Sequence, residues 1–187
     1  RQLTEGQHYL TLRAVSDAGL VGEARSSFRV NNRWELEDPL DPPIQMGWFG
    51  PVPQDLTIET SDGWDHDTSD AERYFGDDSR RVRLTDSEEY LVWQTEGALS
   101  SFAVVLYTTQ PAAHRYVRLE MLADGVWKEL EFEARTEVGP SGVMKTALTG
   151  TVEEEIRSER FRLRILPGAG EPGEIQIGHV TLKGWLL

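Results

Sequence analysis

The stretch that most constrains the fold is residues 116–132, YVRLEMLADGVWKELEF. Val117, Leu119 and Met121 alternate with Arg118 and Glu120. A two-residue period of this kind belongs to a half-buried strand. Asp124-Gly125 then supplies a tight turn, because both residues tolerate the positive φ that short hairpin loops need. From Trp127 a second alternating run begins, with Leu130 and Phe132 on one face and Glu129 and Glu131 on the other. An isolated hairpin is marginal in water, so its apolar face requires further strands.

The rest of the chain provides them. Residues 8–15 and 25–30 read as two strands joined through Ser16-Asp17-Ala18-Gly19, and short strands follow at 56–59, 80–84 and 90–94. Residues 102–108, FAVVLYT, are apolar on both faces and read as a central strand covered on each side. Further strands are expected at 143–148, after a Gly-Pro-Ser-Gly turn, and at 161–166, where Phe161, Leu163 and Ile165 alternate with Arg162 and Arg164. The last, 174–185, shifts its apolar phase between Ile177 and Val180, which a bulge at Gly178 explains. A single helical turn is expected within 151–160. Many short strands separated by turn signals, with no long helix, define an all-β, antiparallel β-sandwich.

Two segments break the pattern. Pro39, Pro42, Pro43, Pro51 and Pro53 remove backbone donors from residues 33–53, so regular pairing is hard to sustain and a domain boundary is expected there. Residues 61–78, SDGWDHDTSDAERYFGDD, form a long acidic loop that reads as too polar to pack; loops of this length are functional or mobile.

Charge and composition exclude several partners. The chain of 187 residues carries a formal charge of −13. Such a surface repels phosphate backbones and anionic lipid, so neither nucleic acid nor a membrane surface is an expected partner. No apolar run reaches the ~18 residues of a membrane span. Cysteine is absent, which excludes disulfides and thiolate sites. The chain begins Arg1-Gln2-Leu3 without a methionine, and residue content leaves export undecided.

Two resemblances add to this reading. The stretch EGQHYLTLRAVSDAGLVGEARSSFRV resembles the last two strands of bacterial immunoglobulin-like or fibronectin-III-like modules. Residues 1–32 are then expected to be the end of a severed module, the alternative being two extra strands of the main sheet. From residue 33 to 187, the order of DPLDP, YFGDDSRRVRL, EEYLVWQTEGALSSFAVVLY, RYVRLEMLADGVWKEL, ERFRLRIL and EIQIGHVTLKGW resembles a jelly-roll, carbohydrate-binding-module-like domain of the discoidin or galactose-binding type. That resemblance implies a jelly-roll sandwich of a kind that often binds sugars and often carries structural calcium. It also implies an extracellular or cell-surface protein in which this part is a non-catalytic ancillary module. Its partners would be a poly- or oligosaccharide and adjacent domains, and its parent a glycoside hydrolase or polysaccharide lyase. The alternative is a purely structural spacer or docking module.

Sugar recognition needs aromatic faces beside a few orienting polar groups. Trp64 with His66 and Asp65 in the acidic loop, and Trp48 in the Pro-rich segment, are the candidates. Trp64 could equally cap a sandwich end, and Phe49 is expected to plug one. Trp93 and Trp127 lie within strands and are expected to pack there, as is Tyr107. Calcium prefers clustered oxygen donors, for which Asp38 with Asp41, and Asp77 with Asp78, are the candidates. His8, His114 and His179 lack any paired spacing, so zinc is not expected. No Gly-x-Ser-x-Gly elbow is present, and no catalytic residue is assigned. Arg80, Arg81 and Arg83, and Arg160, Arg162 and Arg164, are expected to line an outer face that pairs with the acidic surplus.

Overall fold

A computed structural model describes residues 4–45, 50–152 and 157–186. The chain divides into two compact units, Arg1–Arg33 and Trp34–Leu187. In the first, β1 (Gly6–Val15) and β2 (Val21–Val30) pair antiparallel from Gly6 opposite Val30 to Val15 opposite Val21. The connecting turn is closed by the Ser16 N–H on the Leu20 carbonyl and the Gly19 N–H on the Ser16 carbonyl, both at 2.9 Å. Register places His8, Leu10, Leu12, Ala24 and Phe28 on one face, with the His8 and Phe28 rings stacked 5.6 Å apart. Leu10, Leu12 and Phe28 are exposed.

The second unit is an antiparallel sandwich. Its strands are β3 (Arg33–Asp38), β4 (Ile44–Gln45), β5 (Pro51–Val52), β6 (Thr57–Thr60), β7 (Trp64–Asp67), β8 (Arg80–Arg83), β9 (Glu89–Gln94) and β10 (Ala98–Thr108). They continue as β11 (Val117–Ala123), β12 (Val126–Leu130), β13 (Glu133–Val138), β14 (Met144–Thr151), β15 (Arg160–Ile165) and β16 (Gln176–Trp185). One sheet runs β13-β14-β10-β16-β8-β7, with β3 also on β16; the other runs β12-β11-β15-β9-β6. β4 and β5 form a separate small hairpin. Inward residues of the two sheets meet in one core. Trp93 and Phe102 each lie against Phe161, with ring centroids 6.0 and 5.6 Å apart, among Leu91, Leu119, Leu148, Leu163, Val180 and Leu182.

The central hairpin folds as the alternation predicts, with Ala123 opposite Val126 across Asp124-Gly125 and both turn residues at positive φ. Its second strand is shorter than expected. Pairing with β11 stops at Leu130, and after Glu131-Phe132 the chain enters β13 of the other sheet. The expected bulge is also present. Val104 faces Val180 and Leu106 faces Ile177, which leaves an extra residue on β16 at Gly178-His179. A Cβ at Gly178 would collide with the Asp77 carboxylate and the Tyr107 ring. Most of the expected helical turn lies outside the described residues; the described flanks are β14, an isolated bridge from Arg157 to Ala98, and β15.

The acidic loop departs from expectation: it packs. β7 pairs with β8, and a 3-10 turn at Ala71–Tyr74 follows. Both hang on Arg80, which is fully buried. Its guanidinium donates to Gln176 Oε1 at 2.7 Å and to the carbonyls of Asp77 and Ser69. The same group lies 4.0 Å from the Tyr74 ring centroid and 3.4 Å from the Asp67 carboxylate. Burial would raise the Asp67 carboxyl, but the Ser69 hydroxyl and N–H, together with Arg80, hold it below the usual range. Tyr74 and Phe75 in turn cover Tyr107 on β10, with centroids 5.6 and 6.2 Å away. A loop carrying this many carboxylates orders because one buried cation collects its backbone and side-chain oxygens.

Candidate ligand-binding face and flanking pockets

Alternation along the five-stranded sheet sends every second residue outward, and register brings those residues into rows. Arg118 lies opposite Arg164, and Glu120 opposite both Arg162 and Glu129. Trp127 lies opposite Leu122, and Tyr90 opposite Arg164. Like charges directly opposed across strands are unfavourable, and the Arg118–Arg164 pair is offset by carboxylates on either side. Glu120, itself buried, accepts from Arg162 Nε at 2.7 Å and from Arg164 Nη1 at 3.0 Å. Glu88 takes two more donors of Arg164, at 2.7 and 3.0 Å, and Glu129 stands 3.2 Å from Arg118. At the β6 edge, Glu59 meets Arg160 at 3.2 Å and the Tyr90 hydroxyl at 3.1 Å.

The electrostatics follow from these contacts. The Arg164 hydrogen bonds hold the Glu88 carboxyl below its ordinary range, and the same carboxylate raises Arg164. The hydrogen bond to Glu59 raises the Tyr90 phenol. Aromatics occupy opposite corners of this ladder. Trp127, half-buried, carries the Arg162 guanidinium 3.9 Å from its ring centroid. Tyr90, also half-buried, sits three strands away, ~14 Å across the sheet at the usual strand spacing. Planar guanidinium and carboxylate groups held rigidly beside aromatic rings can direct hydrogen bonds at vicinal hydroxyls while C–H faces stack. The outward arginines of β15 were foreseen, whereas Arg80 and Arg83, expected on the same kind of outer face, are buried. Tyr90, Trp127 and Glu120 as companions of the β15 arginines were not foreseen, because the rows arise from pairing between strands far apart in sequence.

The candidates from the acidic loop are placed differently. Trp64 is 8% exposed, and its indole N–H donates to the Tyr90 carbonyl at 3.1 Å, tying the edge of one sheet to the other. His66 is half-buried on the same strand, and Asp65 is exposed, accepting the His66 N–H. His66 Nε2 lies 3.3 Å from Asp55, and Arg81 lies 2.9 Å from the same carboxylate. Burial, and then Arg81, push the His66 imidazole below its ordinary value, against the pull of Asp55. Asp55 and Arg81 also line a pocket of about 250 Å³ with Pro43, Pro53, Thr57 and Thr60. Trp48 and Phe49 lie outside the described residues.

The calcium candidates do not form a donor set. Asp38 is fully buried, and its carboxylate already accepts from the Leu40 N–H, the Leu56 N–H and the Trp93 indole at 2.7–3.0 Å. Asp41 is exposed nearby. One oxygen of Asp77 takes the Ser79 N–H, while Asp78 is exposed. Among the described residues, no three His, Cys, Asp or Glu side chains gather as a metal ion needs.

The flank opposite β6 and β7 opens more widely. Where the chain crosses from β12 to β13, a groove of about 950 Å³ runs between the sheets, lined by Phe102, Met121, Leu130 and Phe132 together with Lys128, Glu129, Glu131, Glu133 and Thr149. Gly150 is part of its wall, where a Cβ would strike the Phe102 ring and the Glu131 carbonyl.

No protein-family profile matches the sequence, and no curated protein matches it either. Among solved structures, the chain is similar to the M60 catalytic domain with the CBM51-1 and CBM51-2 domains from Clostridium perfringens ZmpB. There the identity is 14% and the TM-score 0.36, over 97% of this chain and 18% of that one. It is also similar to the catalytic domain of a GH87 alpha-1,3-glucanase in complex with tetrasaccharides, at 11% identity and TM-score 0.33, over 95% of this chain and 29% of that one. The chain thus spans less than a third of either length, and likeness at this level does not bear on what it binds. Among the described residues no helix is long and apolar enough to cross a membrane.

Proposed function

We propose that residues 33–187 form a non-catalytic carbohydrate-binding module of an exported, cell-surface or secreted glycan-processing protein, and that the glycan lies on the outer face of the five-stranded sheet. The observation that supports this reading is the Arg–Glu ladder centred on Glu120, with half-buried Trp127 and Tyr90 at opposite corners. Its donors and acceptors are fixed before any ligand arrives, so little ordering entropy opposes binding. The ladder runs across four strands of the sheet, from Trp127 on β12 to Tyr90 on β9, which suits a chain of sugars more than a single enclosed ring.

Affinity electrophoresis against a panel of neutral and acidic polysaccharides tests it. Retardation on at least one glycan, abolished in Trp127→Ala and reduced in Tyr90→Ala, is expected. Migration unaffected by every glycan, or variants that travel like the wild type, would refute binding at this face.

A second reading, a docking or spacer role, is favoured by the first unit. Leu10, Leu12 and Phe28 share an exposed face on β1 and β2, and immunoglobulin-like sandwiches cover such a face with a second sheet. Residues 1–32 would then complete a neighbouring module. A polypeptide extended at its N-terminus should protect the β1 and β2 amides from hydrogen exchange; equal protection in both lengths would count against this role.

A further inference from the structure

The groove on the β12 and β13 flank carries a separate role, independent of the glycan reading. Three features converge there. First, both sheets end at this flank: among the described residues, β12 pairs only with β11, and β13 only with β14. Because the Asp124-Gly125 turn makes Ala123–Val126 the closing hydrogen-bonded pair, alternation directs the N–H and C=O of Trp127 and Glu129 away from β11. Second, the floor is apolar, made by buried Phe102, Met121 and Leu130 with half-buried Phe132. Third, the rim is acidic. Among the described residues, Glu129 and Glu133 are tied only to Arg118 and Arg135, through solvent-accessible pairs at 3.2 and 3.3 Å, and pairs of that kind contribute little. Glu131 is exposed beside them, and Lys128 supplies the opposing charge.

We propose that this groove binds an extended peptide segment in which basic and apolar residues alternate. The segment adds as a strand to the open edge of β12, sets its apolar side chains on Phe102 and Phe132, and turns its cationic ones to Glu129, Glu131 and Glu133. Main-chain pairing supplies affinity in such strand addition, and alternate side chains supply selectivity. An open strand edge is otherwise a hazard that a chain blunts or covers.

The test uses the full chain and a fluorescent, acetylated octapeptide of alternating valine and lysine, followed by anisotropy at low and moderate salt. Saturable binding is expected, with affinity falling at least ~tenfold in Glu131→Lys/Glu133→Lys, whose side chains are exposed and whose removal leaves the core intact. Binding should be unchanged in Glu72→Lys, a charge reversal in the 3-10 turn, none of whose residues lines the groove. Methylating alternate peptide nitrogens of the probe along one edge should abolish binding, while methylating the other edge should not. Equal weakening by Glu72→Lys would show diffuse attraction to an acidic surface and overturn the proposal. Indifference to which edge is methylated would overturn strand addition. Absence of saturable binding would overturn it outright.

Discussion

Arg80→Met removes the buried cation on which the acidic loop hangs and should loosen that loop. Methionine matches the length of the arginine stem but brings no donors. The substitution leaves Gln176 Oε1 and the carbonyls of Asp77 and Ser69 without their shared partner. A buried acceptor stripped this way, as Gln176 Oε1 is, costs about 1–3 kcal/mol, and the two part-buried carbonyls less. Losing the cation from the Tyr74 face adds up to about 2 kcal/mol. Against these stands the relief of no longer desolvating a guanidinium. Removing one partner of a buried charge network nets roughly 3–5 kcal/mol of destabilisation. For a chain of this size, each kcal/mol moves the melting temperature by about 2–4 °C, so a fall of roughly 6–20 °C is expected. Calorimetry reads that value, and hydrogen exchange at residues 64–67 separates the two ways it can arise. If the loop detaches locally, those amides lose protection while the β10 and β15 amides keep theirs. If unfolding stays all-or-none, all of them weaken together. Arg80→Lys should fall between the wild type and Met, because an ammonium keeps the charge without the fork geometry. A melting temperature within about 2 °C of wild type, with 64–67 still protected, would refute the view that Arg80 organises this loop.

The remaining expectations concern pH, a buried carboxylate and calcium. Burial and Arg81 lower the His66 imidazole, so its neutral form contributes stability fully above the ordinary histidine value of ~6.5, and that contribution is lost as pH falls through the folded value; the fall in melting temperature from pH 7 to pH 5 should flatten in His66→Gln. Asp67 and Glu88 are depressed, and their contribution is present above the ordinary carboxylate range of about 4 and disappears below it, giving a second, steeper loss on further acidification. Asp38→Ala strands the Leu40 and Leu56 N–H groups and the Trp93 indole, and should cost at least ~3 kcal/mol in denaturant unfolding; a loss under about 1 kcal/mol would mean that water replaces the carboxylate. Melting temperatures in calcium and in chelator should agree within about 1 °C, since a native-state ligand would raise the first; a clear rise would show that the aspartates converge on a cation after all.

Much of the architecture was legible locally. Alternation in 117–121, the Asp124-Gly125 turn and the FAVVLYT run are properties of neighbouring residues, and strand pleating translates them directly into inward and outward faces. The phase slip at Gly178 was readable for the same reason. β7 and β13 were not, since WDHD and EARTEV alternate with too little apolar content to announce a strand. Both are edge strands held by backbone pairing and by side chains from elsewhere. Among the site candidates, the sequence left Trp64 open between a ligand platform and a cap of the sandwich end, and its buried indole reaches the Tyr90 carbonyl 26 residues away.

The sequence by itself determined that this chain makes antiparallel strands with apolar inner faces, because that pattern is written at a spacing of two residues. Tertiary structure alone decided which charges meet. Arg80 finds Gln176 across 96 residues, and Glu120 finds Arg162 and Arg164 across 42 and 44. Such partners are selected by strand order and register, and no local feature of a charged residue records which strand will lie beside it.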